Sequence, residues 1–152
     1  MYKYQPKRPV KSFQDLDVYQ QTHNLAIKIA KHPQLAPTAL EIPKLIAIAH
    51  SVRFGDPDRA IANLEQAMIN CNLMVVYLDQ YRDLARPAAD VEPALGLQSP
   101  VPSGPNSTSD NLGTGTDQIQ KDYLAVRRKI LNLQRSWQKF IGINKLNQNA
   151  TR

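Results

Sequence analysis

From Ala67 to Leu78 the chain offers only Asn70 and Asn72 as polar residues, and that segment lies inside a longer helical pattern. Ile61, Leu64, Met68, Cys71, Val75 and Leu78 alternate three and four apart, the spacing that keeps one seam of a helix turned toward a neighbour. Ala60, Ala67, Met74 and Tyr81 form a second stripe seven apart, while Ile69, Leu73, Val76 and Tyr77 point in other directions. A helix apolar nearly all round must be covered on more than one side, which excludes an isolated or singly packed helix. Its ends are marked: Asp56-Pro57 combines an acceptor cap with a proline at the first helical position, and Pro87 stops the pattern.

Three further helices are predicted around it. Ser12 and Asp15 have the spacing of a capping box, and Leu16, Val18, Tyr19, Leu25, Ala26, Ile29 and Ala30 follow on overlapping helical faces until Pro33. The second segment runs from Pro37 to Gly55, and its internal Pro43 either kinks the helix or places its firm start near Ile42. The fourth begins near Asp117, sets Ile119, Tyr123, Val126, Ile130, Leu133, Trp137 and Phe140 on a four-three repeat, and stops at Gly142. The expected fold is all-α, an antiparallel up-down four-helix bundle with a flexible linker between helices three and four. Its parts are a basic arm over 1–11, three helices over 12–86, a Pro-, Gly- and Ser-rich linker over 87–116, the last helix over 117–142 and a polar tail over 143–152. Leu73, Val76, Tyr77, Leu124 and Leu131 exceed what one such core needs, which predicts an oligomer interface.

The net charge of +6 is unevenly placed. Residues 1–12 contribute +4 and residues 117–152 contribute +6, leaving −4 for the middle. Lys121, Arg128 and Arg135 stand seven apart, opposite the apolar seam of the last helix, and Arg127, Lys129 and Lys139 flank them. Such a ridge can neutralise phosphates and release their condensed counterions without reading base sequence, so RNA or DNA is the expected partner. Lys7, Arg8 and Lys11 of the N-terminal arm are candidate phosphate contacts as well. Trp137 falls on the seam and reads as core.

Catalytic chemistry finds little footing. His23, His32 and His50 include no pair at the i, i+4 spacing of a helical metal site, and His23 and His50 are expected to satisfy each other's hydrogen bonds. The acid pairs Asp15/Asp17, Asp56/Asp58 and Asp79/Asp83 suit helix starts and an exposed face, and no nucleophile accompanies them. Phosphate-cradling glycine loops and the nucleophile-elbow pattern are absent from the sequence. Cys71 is the single cysteine, excluding an internal disulfide. The expectation is a protein without catalytic, metal or cofactor site, cytoplasmic, with no membrane-spanning segment.

The stretch Ser12-Phe13-Gln14-Asp15-Leu16-Asp17-Val18-Tyr19-Gln20 resembles the start of the four helix bundle protein superfamily, which includes proteins encoded in intervening sequences of 23S ribosomal RNA genes. Ala47-Ile48-Ala49-His50, the segment Asp58 to Leu84 ending in Leu78-Asp79-Gln80-Tyr81-Arg82-Asp83-Leu84, and Arg127-Arg128-Lys129-Ile130-Leu131 leading to Ser136-Trp137 are similar to the Avd branch, the accessory variability determinants of diversity-generating retroelements. The chain departs from that branch at Gln134-Arg135, where a Leu-Gly is usual, and at Pro43. The resemblance implies a homopentamer of bundles that associates with a reverse transcriptase and its template RNA during mutagenic copying. Arg127, Arg128, Lys129 and Arg135, with Lys121 and Lys139 beside them, are the basic residues it carries over. A bundle that only scaffolds proteins, as in the 23S intervening-sequence type, is the second expectation.

Overall fold

The computed structural model describes residues 10–85 and 112–150, with side chains placed over 10–85 and 115–142. Every regular element among them is helical. A 3-10 helix at Phe13–Asp15 precedes α1 (Asp17–Ile29), α2 (Ala36–Val52), α3 (Pro57–Leu84) and α4 (Leu112–Ala150).

The predicted capping box is present. The Ser12 hydroxyl accepts from the Gln14 amide at 3.3 Å, and the Asp15 carboxylate accepts from the Ser12 amide at 2.9 Å and the Lys11 amide at 3.0 Å. At α3 the Asp56 carboxylate accepts from the Arg59 amide at 3.0 Å, with Pro57 in the first helical position. Both caps answer amides that helix geometry leaves without partners.

Helix α2 runs unbroken through Pro43, whose ring is buried among the flanking Ile42, Leu45, Ile46 and Ala49. The lost amide donor is offset by that packing, and Pro37 occupies the first turn, where no donor is needed. Helix α1 ends at Ile29, before Pro33, in a turn closed by the His32 amide on the Ile29 carbonyl at 2.9 Å.

Each helix packs on two others: α1 on α2 and α4, and α3 on α2 and α4. The buried line of α3 is Ala60, Leu64, Ala67, Cys71, Met74 and Leu78, with Ile61, Met68, Val75 and Tyr81 half-buried beside it. That line draws from both predicted stripes, because a helix wedged between two neighbours centres its buried arc between the two contacts. Ile29, Ile42, Ile46, Leu64, Met74, Tyr123 and Ile130 are the large side chains that close the common core. Cys71 lies in it, and burial pushes its thiol up to about 12, so the group stays protonated and inert at neutral pH.

Helix α4 is longer than 117–142 at both ends. Leu112 to Thr116, expected in the linker, are helical, and Thr116 is buried. Gly142 does not stop the helix, which continues to Ala150 through the expected polar tail. A glycine inside a helix costs only about 1 kcal/mol, too little to end one whose preceding turns are fixed by packing. Residues 1–9 and 86–111, with most of the predicted arm and linker, lie outside the described residues.

Hydrogen bonds set the register of α3 against α4. The Arg82 guanidinium donates to Asp79 at 2.8 Å and to Asp117 at 3.0 Å. Gln120 donates to the Val75 carbonyl at 3.1 Å and to Asp79 at 2.7 Å, and Gln134 donates to Glu65 at 3.0 Å. These contacts descend α3 as they ascend α4.

Candidate nucleic-acid interface

Seven helical residues return to within about 20° of the same direction, so Lys121, Arg128 and Arg135 form one line along α4. All three are exposed, as is Lys139 one turn further on. Neighbours seven apart are separated by about 10 Å along the axis, and the line spans about 27 Å. Among the described residues none of the four has an ion-pair partner. The acids of α4 are engaged elsewhere: Asp117 takes Arg82, and Asp122 accepts from Gln118 at 2.9 Å. Among the described residues no carboxylate of α4 forms an ion pair with the outer line.

The other predicted cations are sorted away from that line. Lys129 turns toward α1 and pairs with Asp17 at 2.8 Å, a surface bridge worth about 0–1 kcal/mol for which a phosphate has to compete. Arg127 is half-buried, its Nε enclosed without a hydrogen-bond partner among the described residues, and its charge is felt at Cys71. Lys11 is exposed at the start of the first cap, while Lys7 and Arg8 lie outside the described residues. The structure thus brings together Lys121, Arg128, Arg135 and Lys139 and sets Arg127 and Lys129 on the two flanks of α4.

Of the predicted interface residues, Leu73 and Val76 on α3 and Leu124 on α4 are exposed, and Ile69 joins them; all four leave 37 to 49 % of their surface open. Tyr77 and Leu131 are half-buried, and Tyr77 packs against the core.

His23 and His50 do not pair. The His23 ring stacks on Tyr19 with centroids 5.9 Å apart, whereas His50 is buried, 6.4 Å from the Trp137 ring, with its Nε2 lacking a partner among the described residues. Burial first, then the Arg53 charge, holds the His50 pKa below its ordinary 6.5, and Asp15 opposes them. The unfolded chain therefore takes up this proton first as pH falls, so the contribution of neutral His50 is complete above about 6.5 and declines below it. Between about pH 7 and pH 5 the melting temperature of His50→Gln is expected to fall less than that of the parent. Equal falls in thermal melts of the two proteins would place the acid sensitivity elsewhere.

One feature escaped the sequence pattern. Phe140, predicted on the α4 seam, is 66 % exposed, beside the open cleft where α2 turns into α3. Phe54, in the turn before Gly55, is 86 % exposed. A large aromatic in the short connection before the capped start of α3 was the available signal. Among the described residues no helix is long and apolar enough to cross a membrane, and no cluster of His, Cys, Asp and Glu is arranged to hold a metal ion.

No protein-family model, curated protein or solved structure matches this chain. The resemblance to the Avd branch is carried by the motifs quoted from the sequence.

Proposed function

We propose that this protein is a non-catalytic nucleic-acid-binding accessory factor, an antiparallel up-down four-helix bundle whose α4 ridge grips backbone phosphates of RNA or DNA. The observation that carries the proposal is the exposed line Lys121, Arg128, Arg135 and Lys139, without an ion pair among the described residues, while Asp117 and Asp122 are bound by other side chains. Contacts of this kind supply affinity without base specificity, so target choice comes from a partner. By its resemblance to the Avd branch, that partner is a retroelement reverse transcriptase on its template RNA, in the cytoplasm. The exposed Ile69, Leu73, Val76 and Leu124 then form the self-association surface, with a pentamer as the expected assembly.

That same apolar surface favours a second function, a scaffold that binds only proteins, and the two differ in their response to salt. With four phosphate contacts, affinity for unrelated RNA or DNA is expected to fall roughly 50- to 150-fold between about 50 and 200 mM salt in a gel-shift titration. Absence of any salt-sensitive retardation removes the ridge from the function and leaves the scaffold.

A further inference from the structure

The end of the molecule where α2 turns into α3 carries an open cleft of about 350 Å³, lined by Arg53, Phe54, Pro57, Trp137, Phe140 and Ile141. Its walls are flat rings. The Arg53 guanidinium carbon lies 4.2 Å from the centroid of Phe54 and 5.9 Å from that of Trp137, and a guanidinium hydrogen of Arg53 is held by the His50 carbonyl. Burial lowers the Arg53 pKa, yet a guanidinium stays charged at neutral pH, so the cleft holds a fixed cation between aromatic faces. Phe54 and Phe140 nevertheless remain largely open to water, a costly disposition for two phenylalanines on one rim.

We infer that this cleft is a base-stacking site for single-stranded nucleic acid, where an unpaired base enters between the rings while its phosphates follow the cations of α4. The inference rests on the proposed phosphate-binding role of the ridge and adds a second, chemically distinct grip. The cationic line ends at Lys139, and the exposed Phe140 follows about 100° round the helix, so the Phe140 rim of the cleft lies beside the end of the line while Trp137 packs against the core. A strand leaving the line at Lys139 turns about a quarter of the way round α4 to meet the Phe140 rim. Charge complementarity selects the occupant, because among the described residues the lining contains one guanidinium and no carboxylate. Any base has a π-face, so such a site tolerates sequence and discriminates single strands from duplexes, whose bases are already stacked.

Trp137 is the chain's only tryptophan, which makes its fluorescence a reporter inside the cleft. The full-length protein is titrated with an oligothymidylate and with an abasic oligodeoxynucleotide of equal length. The thymidylate is expected to quench Trp137 and bind on the order of tenfold more tightly than the abasic strand, and Phe54→Ala is expected to remove most of that difference. Phe54 is too exposed for its truncation to threaten folding, and abasic-strand affinity, set by the ridge, should be unchanged. Equal affinity for the two strands, or a preference that survives both Phe54→Ala and Phe140→Ala, overturns the stacking site while leaving the ridge standing. Tight thymidylate binding without abasic binding keeps the cleft and removes the ridge, and failure of both ligands removes both. An apolar dye that lights up in the parent but not in Phe54→Ala, and that thymidylate cannot displace, assigns the cleft to an apolar protein segment and overturns the inference.

Discussion

A protein in which Arg128 and Arg135 are both replaced by glutamate is expected to bind RNA on the order of 100-fold more weakly than the parent near 0.1 M salt. Each phosphate neutralised by a cation contributes about 0.7 to 0.9 to the slope of log affinity against log salt, close to tenfold in affinity at that concentration. Two lost contacts therefore account for the change, and the new carboxylates, repelled by phosphates about one Debye length away, add to it. The salt slope should fall by about 1.4 to 1.8 at the same time. Both side chains are exposed and unpaired among the described residues, so the fold should be untouched and the circular dichroism of the variant should overlay that of the parent. Reversal of Lys129 makes the informative contrast. It breaks the bridge to Asp17 but removes little from the outer line, and its effect on affinity should be several-fold smaller. Filter binding at several salt concentrations measures all of these quantities, and an unchanged slope in the double variant contradicts phosphate contact by the ridge.

The second large effect concerns stability. Ile130 is fully buried on α4, packed into the core that α1, α2 and α3 also line. Ile130→Ala is expected to cost about 2–5 kcal/mol, the lost transfer energy of the side chain plus that of the cavity it leaves. For a domain of this size such a loss lowers the melting temperature by on the order of 10 °C, and it is a large share of the roughly 5–15 kcal/mol available to a typical domain. Leu124→Ala, on an exposed position of the same helix, should cost well under half as much. Should Ile130→Ala fail to fold, Ile130→Val, with an expected cost of about 0.5–1.5 kcal/mol, keeps the comparison measurable by urea denaturation. Equal costs for Ile130→Ala and Leu124→Ala contradict a core shared by all four helices.

Much of the fold was legible in the residues because helices announce themselves locally. The Asp56-Pro57 start and the three-four spacing of α3 are signals within a few turns of chain, and α3 appears where they place it; the capping box of Ser12 and Asp15 forms as well, but it caps the 3-10 turn Phe13–Asp15, and α1, expected to start near Phe13, begins at Asp17 after an extended Leu16. Helix ends were less legible. Gly142 has an ordinary stop signal, and only the docking of the preceding turns decides that its modest helix penalty is overridden. Pro43 likewise posed a local choice between kink and late start that the burial of its neighbours resolved as a continuous helix.

The candidate site divides in the same way. A seven-residue spacing guarantees that Lys121, Arg128 and Arg135 share a face whatever the helix packs against, so the ridge belongs to the sequence. Which of the flanking cations remain available depends on the neighbours: Asp17, contributed from 112 residues away, captures Lys129, and the α3 side of α4 encloses Arg127. Gln134 is another such case, a polar residue in an apolar repeat that becomes intelligible only when Glu65 is found beside it at 3.0 Å. The aromatic cleft brings Phe54 to Trp137 and Phe140 across more than 80 positions of chain, and no local period can register that meeting. Side-chain direction along one helix is fixed by backbone geometry and can be read from spacing alone. Pairing, burial and the availability of a charge are fixed by whatever else the folded chain places within a few ångströms, and those only the tertiary structure decided.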